Sequence, residues 1–399
     1  MHSLDFPMGN AASSSRTDAA AQKIVVVGGG YAGRSLVHLL DTKCNIIWIE
    51  RRPCLLHKML VRSTVSASWI DAGLVPNCDL SARATLVQAN VTSIDLQNKK
   101  VMYFDGQQDI AVEYDVLIVA SGATNRSPAE PAFSSMASAK REDMVKHFES
   151  VGSRISTKKN ILVVGGGPVG CELAAEIKAK YPHIAVTVAS SSPTLCANMR
   201  VDSAGSEKIQ RGLEGFGIRV LLNKRVELSP EEAKQEMIEF DPPRDLGDAG
   251  KEVDLVIVCA GSVPNTQFMP GAYLTDSGRH IKVNEYLQVA DSVFAIGDCN
   301  DVPEPKLFVT AGTKKFMFGM PVGQADIVAK NVLTLRANKP MTAYKPANTA
   351  KGKVMLPLGP KGGIGVNVPN IFVKMKAKNY FYPAHWKFGK SSLPKMLLD

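Results

Sequence analysis

The chain has 399 residues, 45% of them apolar, and a formal net charge of +9. That length predicts two to three globular domains and excludes a disordered chain. No run of about 18 apolar residues is present, which excludes a membrane-spanning helix read from hydropathy, and no apolar signal-peptide core precedes Ile24, so the chain is expected in the cytosol.

Residues 1–22 are rich in Ala and Ser and read as a mobile tail. Within them Met8-Gly9-Asn-Ala-Ala-Ser13 has the N-myristoylation pattern, with Gly9 as the acceptor if translation starts at Met8. With a start at Met1, Gly9 is internal and an ordinary tail glycine.

Ile24 to Val27 reads as a buried strand, Ala32 to Leu40 as a helix and Asn45 to Glu50 as a second parallel strand. The turn between the first two is Gly28-Gly29-Gly30-Tyr31-Ala32-Gly33, a dinucleotide-binding fingerprint. One glycine makes the tight turn, the next lets backbone N–H groups approach a pyrophosphate, and the third lets helix pack on strand. Glu50 ends the second strand about 20 residues later, where an acid accepts hydrogen bonds from ribose hydroxyls. Val112 to Ala123 reads as one long buried strand leading to Gly122. A polar link over Thr124 to Lys140 then leads to a helix around Arg141 to Val151.

Asn160 to Val164 begins a second fingerprint with the same strand before and helix after: Gly165-Gly-Gly167-Pro168-Val-Gly170. Its second strand, Ala185 to Ser190, ends in Ser190-Ser-Ser192 rather than in an acid. A 2′-phosphate is therefore not repelled, and the serines can hydrogen-bond to it. NADPH or NADH is the expected donor. Glu172, in the first turn of the following helix, lies either beside the nicotinamide or in a simple helix-dipole role. This second domain closes with Val253 to Gly261. Ser292 to Ile296 is a strand that delivers Asp298 to a turn, and a helix follows from about Gly323 to Ala337. Lys353 to Val368 alternates around Gly-Pro-Lys-Gly-Gly363, a hairpin pattern.

Residues 343–399 contain ten Lys, no Arg and one acid, Asp399, so this region alone carries an excess equal to that of the whole chain. The lysines are interleaved with Phe372, Tyr380, Phe381, Tyr382, Trp386 and Phe388. Such a composition suits an anionic membrane surface. Nucleic acid is the rival partner, and a solvated basic face is the plainer alternative. The seven cysteines contain no C-x-x-C pair, which argues against a dithiol relay or zinc ribbon. Cys171 and Cys299 sit close enough to the two motifs to be redox-active or plain buried thiols.

The two fingerprints, Glu50, Val119-Ala-Ser-Gly-Ala123 and Phe294-Ala-Ile-Gly-Asp298, in that order, resemble the two-dinucleotide pyridine-nucleotide flavin oxidoreductases over about residues 22–335. Within these, Ala174-Ala-Glu-Ile-Lys178, Ile257-Val-Cys-Ala-Gly261, Lys282 to Val289 and Ala343-Tyr-Lys-Pro346 are similar to the ferroptosis suppressor protein 1 family. Those are flavoproteins homologous to apoptosis-inducing factor that reduce quinones at membranes. The resemblance implies an α/β fold of two Rossmann-like domains, glutathione-reductase-like, plus a smaller α+β C-terminal domain. The implied divisions are FAD-binding over 23–140 and 263–341, NAD(P)H-binding over 141–262, and membrane and quinone side over 342–399.

By that resemblance FAD is held at the first fingerprint and contacted by Asp298, Arg62 meets its phosphate, and Val91 meets the adenine through its backbone. Glu172 lies near the nicotinamide and Lys376 near the flavin. A quinone is the implied acceptor, with the protein peripheral or lipid-anchored on lipid droplets, the plasma membrane or the outer mitochondrial surface. The oligomeric state stays open, a homodimer through the C-terminal domain being one alternative. Two other readings stand beside it: a DNA-binding flavoprotein like apoptosis-inducing factor, and a soluble reductase of a small electron carrier. The chain departs from the family at Leu307 to Pro321, an apolar stretch that is either a lid or membrane contact, or packs on the C-terminal domain.

Overall fold

The computed structural model describes residues 22–56, 61–70, 74–77, 83–129, 140–304, 323–346, 352–369 and 373–374. Gly9, Lys376, the Leu307–Pro321 stretch and the aromatics from Phe372 to Phe388 lie outside the described residues.

β1 (Lys23–Val27), α1 (Tyr31–Leu40) and β2 (Asn45–Glu50) come first. A ribbon of β3 (Cys54–Leu56) and β4 (Leu74–Pro76) follows, with 3-10 turns at Val61–Thr64 and Ala67–Trp69 between its strands. Next are β5 (Thr85–Gln88), β6 (Asn90–Asp95), β7 (Lys100–Phe104), β8 (Asp109–Glu113), β9 (Val116–Val119) and β10 (Ala123–Asn125). α2 (Arg141–Ser156) leads to β11 (Asn160–Val164), α3 (Pro168–Lys180), β12 (Ala185–Ala189), α4 (Ser203–Gly215) and β13 (Arg219–Leu221). β14 (Met237–Arg244), β15 (Val253–Val258), β16 (Ser262–Pro264), β17 (Gln288–Ala290) and β18 (Val293–Ala295) come next. The described part ends with α5 (Gln324–Arg336) and the pair β19 (Val354–Pro357) and β20 (Gly363–Val366).

Two open sheets carry the molecule. The first has the order β17-β18-β9-β1-β2-β5 and draws strands from before and after the second sheet in the chain. All its pairings are parallel except β17 with β18. Strands buried on both faces read as continuous apolar runs, and Ile24 to Val27 do so because each face is covered. Leu36 and Leu40 of α1 and Val328 and Val332 of α5 cover one face; the antiparallel meander β6-β7-β8 supplies Val91, Ile94 and Val101 to the other. The second sheet has the order β13-β12-β11-β15-β14, antiparallel only at β14.

The stretch from Val112 to Ala123 is not one strand. It breaks at Tyr114 and Asp115, whose N–H groups turn aside to the carbonyls of Lys99 and Lys23 at 3.1 and 2.9 Å. Val112 thus pairs in the meander, while Val116 to Val119 lie beside β1. The exposed Glu113 and Asp115 flank this switch of partner, where the alternating meander strand gives way to the continuously buried Val116 to Val119. The β19–β20 hairpin is present, and its Val354, Leu356 and Val366 join the core of the second sheet rather than forming a separate one.

Candidate dinucleotide sites and the link between them

In each sheet the central strand, β1 or β11, ends in a glycine turn at the carboxyl edge, where neighbouring strands run to either side and a crevice opens. Gly28 has φ +106°, and a Cβ there would lie 2.3 Å from the Ala120 carbonyl oxygen. A Cβ on Gly33 would lie 2.0 Å from the Gly28 carbonyl oxygen, so α1 packs against the turn itself. Gly30 is different: nothing lies within 4 Å of its Cβ position. It is the N-cap of α1, and with Tyr31 and Ala32 it presents the unsatisfied N–H groups of a helix start to an open cradle.

The second turn repeats this geometry. Gly165 has φ +129°, and a Cβ there would lie 2.4 Å from the Cys259 carbonyl oxygen; a Cβ on Gly170 would lie 2.0 Å from the Gly165 carbonyl oxygen, and the Cβ position of Gly167 is open. Pro168 occupies the first helical turn, where its missing N–H costs nothing. The Gly28 and Gly165 N–H groups each donate 2.8 Å bonds, to Ile49 and Ala189. Glu50 and Ser190 are therefore equivalent positions. A Cβ on Gly29 would meet the Glu50 side chain at 2.8 Å, and one on Gly166 would meet Ser190 at 2.7 Å.

Glu50 is buried, and its carboxylate accepts from the Gly29 N–H and from the Arg52 backbone N–H at 2.9 Å. Burial pushes its pKa up, but the charge and backbone N–H of Arg52, with Arg51 and Gly29, outweigh this and leave it below the usual value. It is an anion ready to accept from hydroxyls. Ser190 brings no charge; its hydroxyl accepts the Ser192 N–H at 3.3 Å.

Several residues here carry no local sequence signal. Arg34, one turn into α1, is buried and donates to the Gly29 carbonyl at 2.9 Å and to Asn77. Burial pulls its pKa down to about 9, against the pull of Glu50, and it remains cationic at neutral pH. Asn265 ties β9 to the crossing near β16: it donates to the Ser121 carbonyl at 3.0 Å, and Thr124 donates to its side-chain oxygen at 2.9 Å. Gly122, at φ +66°, lies in this crossing with its Cβ position open. The half-buried Asp298 occupies a 3-10 turn whose Gly297 N–H donates to the Gln324 side-chain oxygen at 2.8 Å. Gln324 in turn donates to the buried Glu304 at 2.8 Å, which also accepts from Tyr344 at 2.9 Å.

Val91 is buried two residues after Ala89, whose N–H bonds to the Glu50 carbonyl at 3.2 Å. Glu172 is 5% exposed on the inner face of α3. Arg62 has a partner that the sequence does not disclose. Its Nε lies 3.0 Å from both carboxylate oxygens of Glu176 and its Nη2 2.8 Å from Oε1, while the guanidinium stacks on Trp69 at 5.2 Å. Cys171 and Cys299 are both fully buried. A hydrogen bond with Cys196 and burial push the Cys171 thiol well up, which opposes thiolate chemistry.

Both cradles fit a dinucleotide. Each leaves open the one glycine face that a pyrophosphate would fill, and each closes the others, two against backbone carbonyls and one against the side chain that ends the second strand. Only the first adds a buried carboxylate for ribose.

The sequence matches the pyridine nucleotide-disulphide oxidoreductase family over residues 22–314. It is 30% identical over 394 residues to ferroptosis suppressor protein 1 of Mus musculus, covering 94% of this chain and 98% of that one. It is 26% identical to apoptosis-inducing factor homolog B of Dictyostelium discoideum, covering 86% and 89%. The sulfide:quinone oxidoreductase of Aquifex aeolicus shares the fold at a TM-score of 0.63 and 16% identity, covering 94% of both chains.

Proposed function

The chain belongs to the pyridine nucleotide-disulphide oxidoreductase family, and from that premise we propose that it passes electrons from NAD(P)H through FAD to a ubiquinone-like acceptor at a membrane surface. FAD and NAD(P)H are the cofactors of this flavoprotein fold; when bound, nicotinamide gives up two electrons as a hydride and flavin relays them. The observation that carries the reading is the pair of equivalent glycine cradles, each with a single open face.

The protein's own part is to hold and orient. In this reading the first turns of α1 and α3 face phosphates, Glu50 accepts from the FAD ribose, and Asp298 accepts from the flavin side. Glu172 orients the nicotinamide. Arg62 and Val91 belong to the FAD side and Lys376 to the flavin's acceptor side. A quinone taking two electrons and two protons becomes a quinol, a reductant suited to protecting lipids from peroxidation, and the murine relative is named a ferroptosis suppressor. Reduction of a soluble carrier protein and DNA binding are the rival outcomes.

Ser190 at the position equivalent to Glu50 supports tolerance of NADPH as well as NADH. Ser190→Glu should set a carboxylate against the 2′-phosphate and weaken NADPH by about tenfold or more, since each tenfold is about 1.4 kcal/mol. NADH affinity should hold or improve. Titration of both nucleotides by fluorescence quenching measures this, and equal affinities in the variant would remove Ser190 from the specificity role.

Residues 343–399 support the membrane as the site of action through their ten lysines and interleaved aromatics. Each lysine contributes about 1 kcal/mol near an anionic leaflet. Replacing Lys374, Lys376, Lys378 and Lys387 by Gln should therefore cost about 4 kcal/mol and weaken binding to phosphatidylserine vesicles roughly a thousandfold. If Gly9 is acylated, a single myristoyl chain is marginal and the basic region supplies the second signal. Liposome flotation tests the proposal; undiminished flotation together with lost DNA binding would favour the nucleic-acid reading.

A further inference from the structure

Arg62 and Glu176 stand 114 positions apart in sequence and meet in a buried, doubly hydrogen-bonded ion pair, with 7% and 6% of each residue exposed. Arg62 comes from the segment between β3 and β4, which form a two-stranded sheet of their own directly after β2 in the chain. That sheet is tied to the first cradle through Asn77, which accepts from Arg34 of α1. Glu176 comes from α3, the helix that opens on the second cradle. The pair therefore crosses from one dinucleotide unit to the other. Other contacts reinforce the crossing. Lys180, one further turn along α3, donates to the Val65 carbonyl. Val61 and Val65 lie inside the core of the second sheet, with Leu173 and Ile177 of α3.

We propose that the Arg62–Glu176 pair sets the seating of the second cradle against the first, with Glu176 a positioning residue for electron transfer between the two dinucleotides. The inference rests on the NAD(P)H-to-FAD reading above. Residues four apart on a helix stack on one face, so the charge that fixes Glu176 also fixes the turn bearing Glu172. That turn lies within one turn of Gly170 and the helix start. A bidentate guanidinium–carboxylate pair fixes orientation as well as distance, which a greasy contact between the same elements does not. Hydride transfer from nicotinamide C4 to flavin N5 breaks one bond and forms another across a gap of about 3–3.5 Å, and misplacement by about 1 Å can cost a hundredfold. The oxidised nicotinamide and reduced flavin are its products, so no further reactant enters the step.

The test uses the flavin-loaded protein and Glu176→Gln, which keeps an acceptor for the guanidinium but removes the charge, beside Glu176→Ala. In anaerobic stopped flow with NADH, the limiting rate of flavin reduction should fall about tenfold to a hundredfold. Flavin content should be retained, and the NADH Kd should stay within about threefold, a loss in rate rather than in binding. Hydrogen exchange on the flavin-free proteins supplies a reading independent of catalysis: amides 61–70 and 168–180 should lose protection in the variants. Should Glu176→Ala not fold, Lys180→Met, which cuts the neighbouring tie to Val65, is expected to lower the rate in the same sense. A lowered melting temperature with an unchanged limiting rate would overturn the proposal and leave the pair a stabilising contact only. If NADH fails to reduce the flavin of the unaltered protein, it is the functional reading that fails, and the positioning role falls with it.

Discussion

Gly30→Val should purify folded and colourless. The backbone at Gly30 has φ −72°, which any residue adopts, and nothing lies within 4 Å of its Cβ position. The folded chain therefore has room for the side chain, and the cost at a helix N-cap is about 1 kcal/mol. The cradle has no such room once a pyrophosphate lies in it. Loss of two charge-assisted N–H bonds at about 1.5–3 kcal/mol each removes about 3–6 kcal/mol, roughly 10²- to 10⁴-fold in affinity. Flavin absorbance per protein measures the loss, and far-UV circular dichroism of the flavin-stripped proteins measures the fold. Comparison must be made between stripped forms, because bound FAD itself stabilises the native state. Gly33→Ala is the contrast: its Cβ would sit 2.0 Å from the Gly28 carbonyl oxygen, so misfolding is expected there. A yellow Gly30→Val protein would place FAD elsewhere.

Gly167→Val should give the complementary result, a yellow protein that NAD(P)H does not reduce. The side chain again points into open space at a helix N-cap, now in the second cradle, so the first is untouched. The same loss of about 3–6 kcal/mol applies to nucleotide binding. Dithionite should still bleach the flavin, which separates a lost donor site from a damaged flavin site. Reduction by NAD(P)H at the unaltered rate would show that the second cradle is not where the donor binds. Together the two variants assign one dinucleotide to each turn.

The sequence discloses these two turns well because their chemistry is local: a strand, a glycine run and a helix start within about ten residues. It also discloses the contrast of Glu50 with Ser190, since each stands at the end of the strand that follows its own turn and helix. What joins the two cradles is not local. Arg62 and Glu176 each look like an ordinary charged residue in an amphipathic stretch, and only the packing of the β3–β4 segment on α3 makes them partners. The same holds for Gln324, Glu304 and Tyr344, which hold the Asp298 turn from three separate segments. The break at Tyr114 does leave a mark, the exposed Glu113 and Asp115 on either side of it, but two acids one residue apart also fit an alternating strand, so the change of sheet shows only in the pairing.

Anaerobic double-mixing stopped flow on the purified, flavin-loaded protein tests the central claim most directly. In the first mix, NADH or NADPH should bleach the flavin; in the second, a short-chain ubiquinone presented in phosphatidylserine liposomes should restore its absorbance, with quinol formed one for one with flavin reoxidised. Flavin that is bleached but stays reduced in the presence of quinone, yet recovers with a soluble carrier protein, would contradict the account.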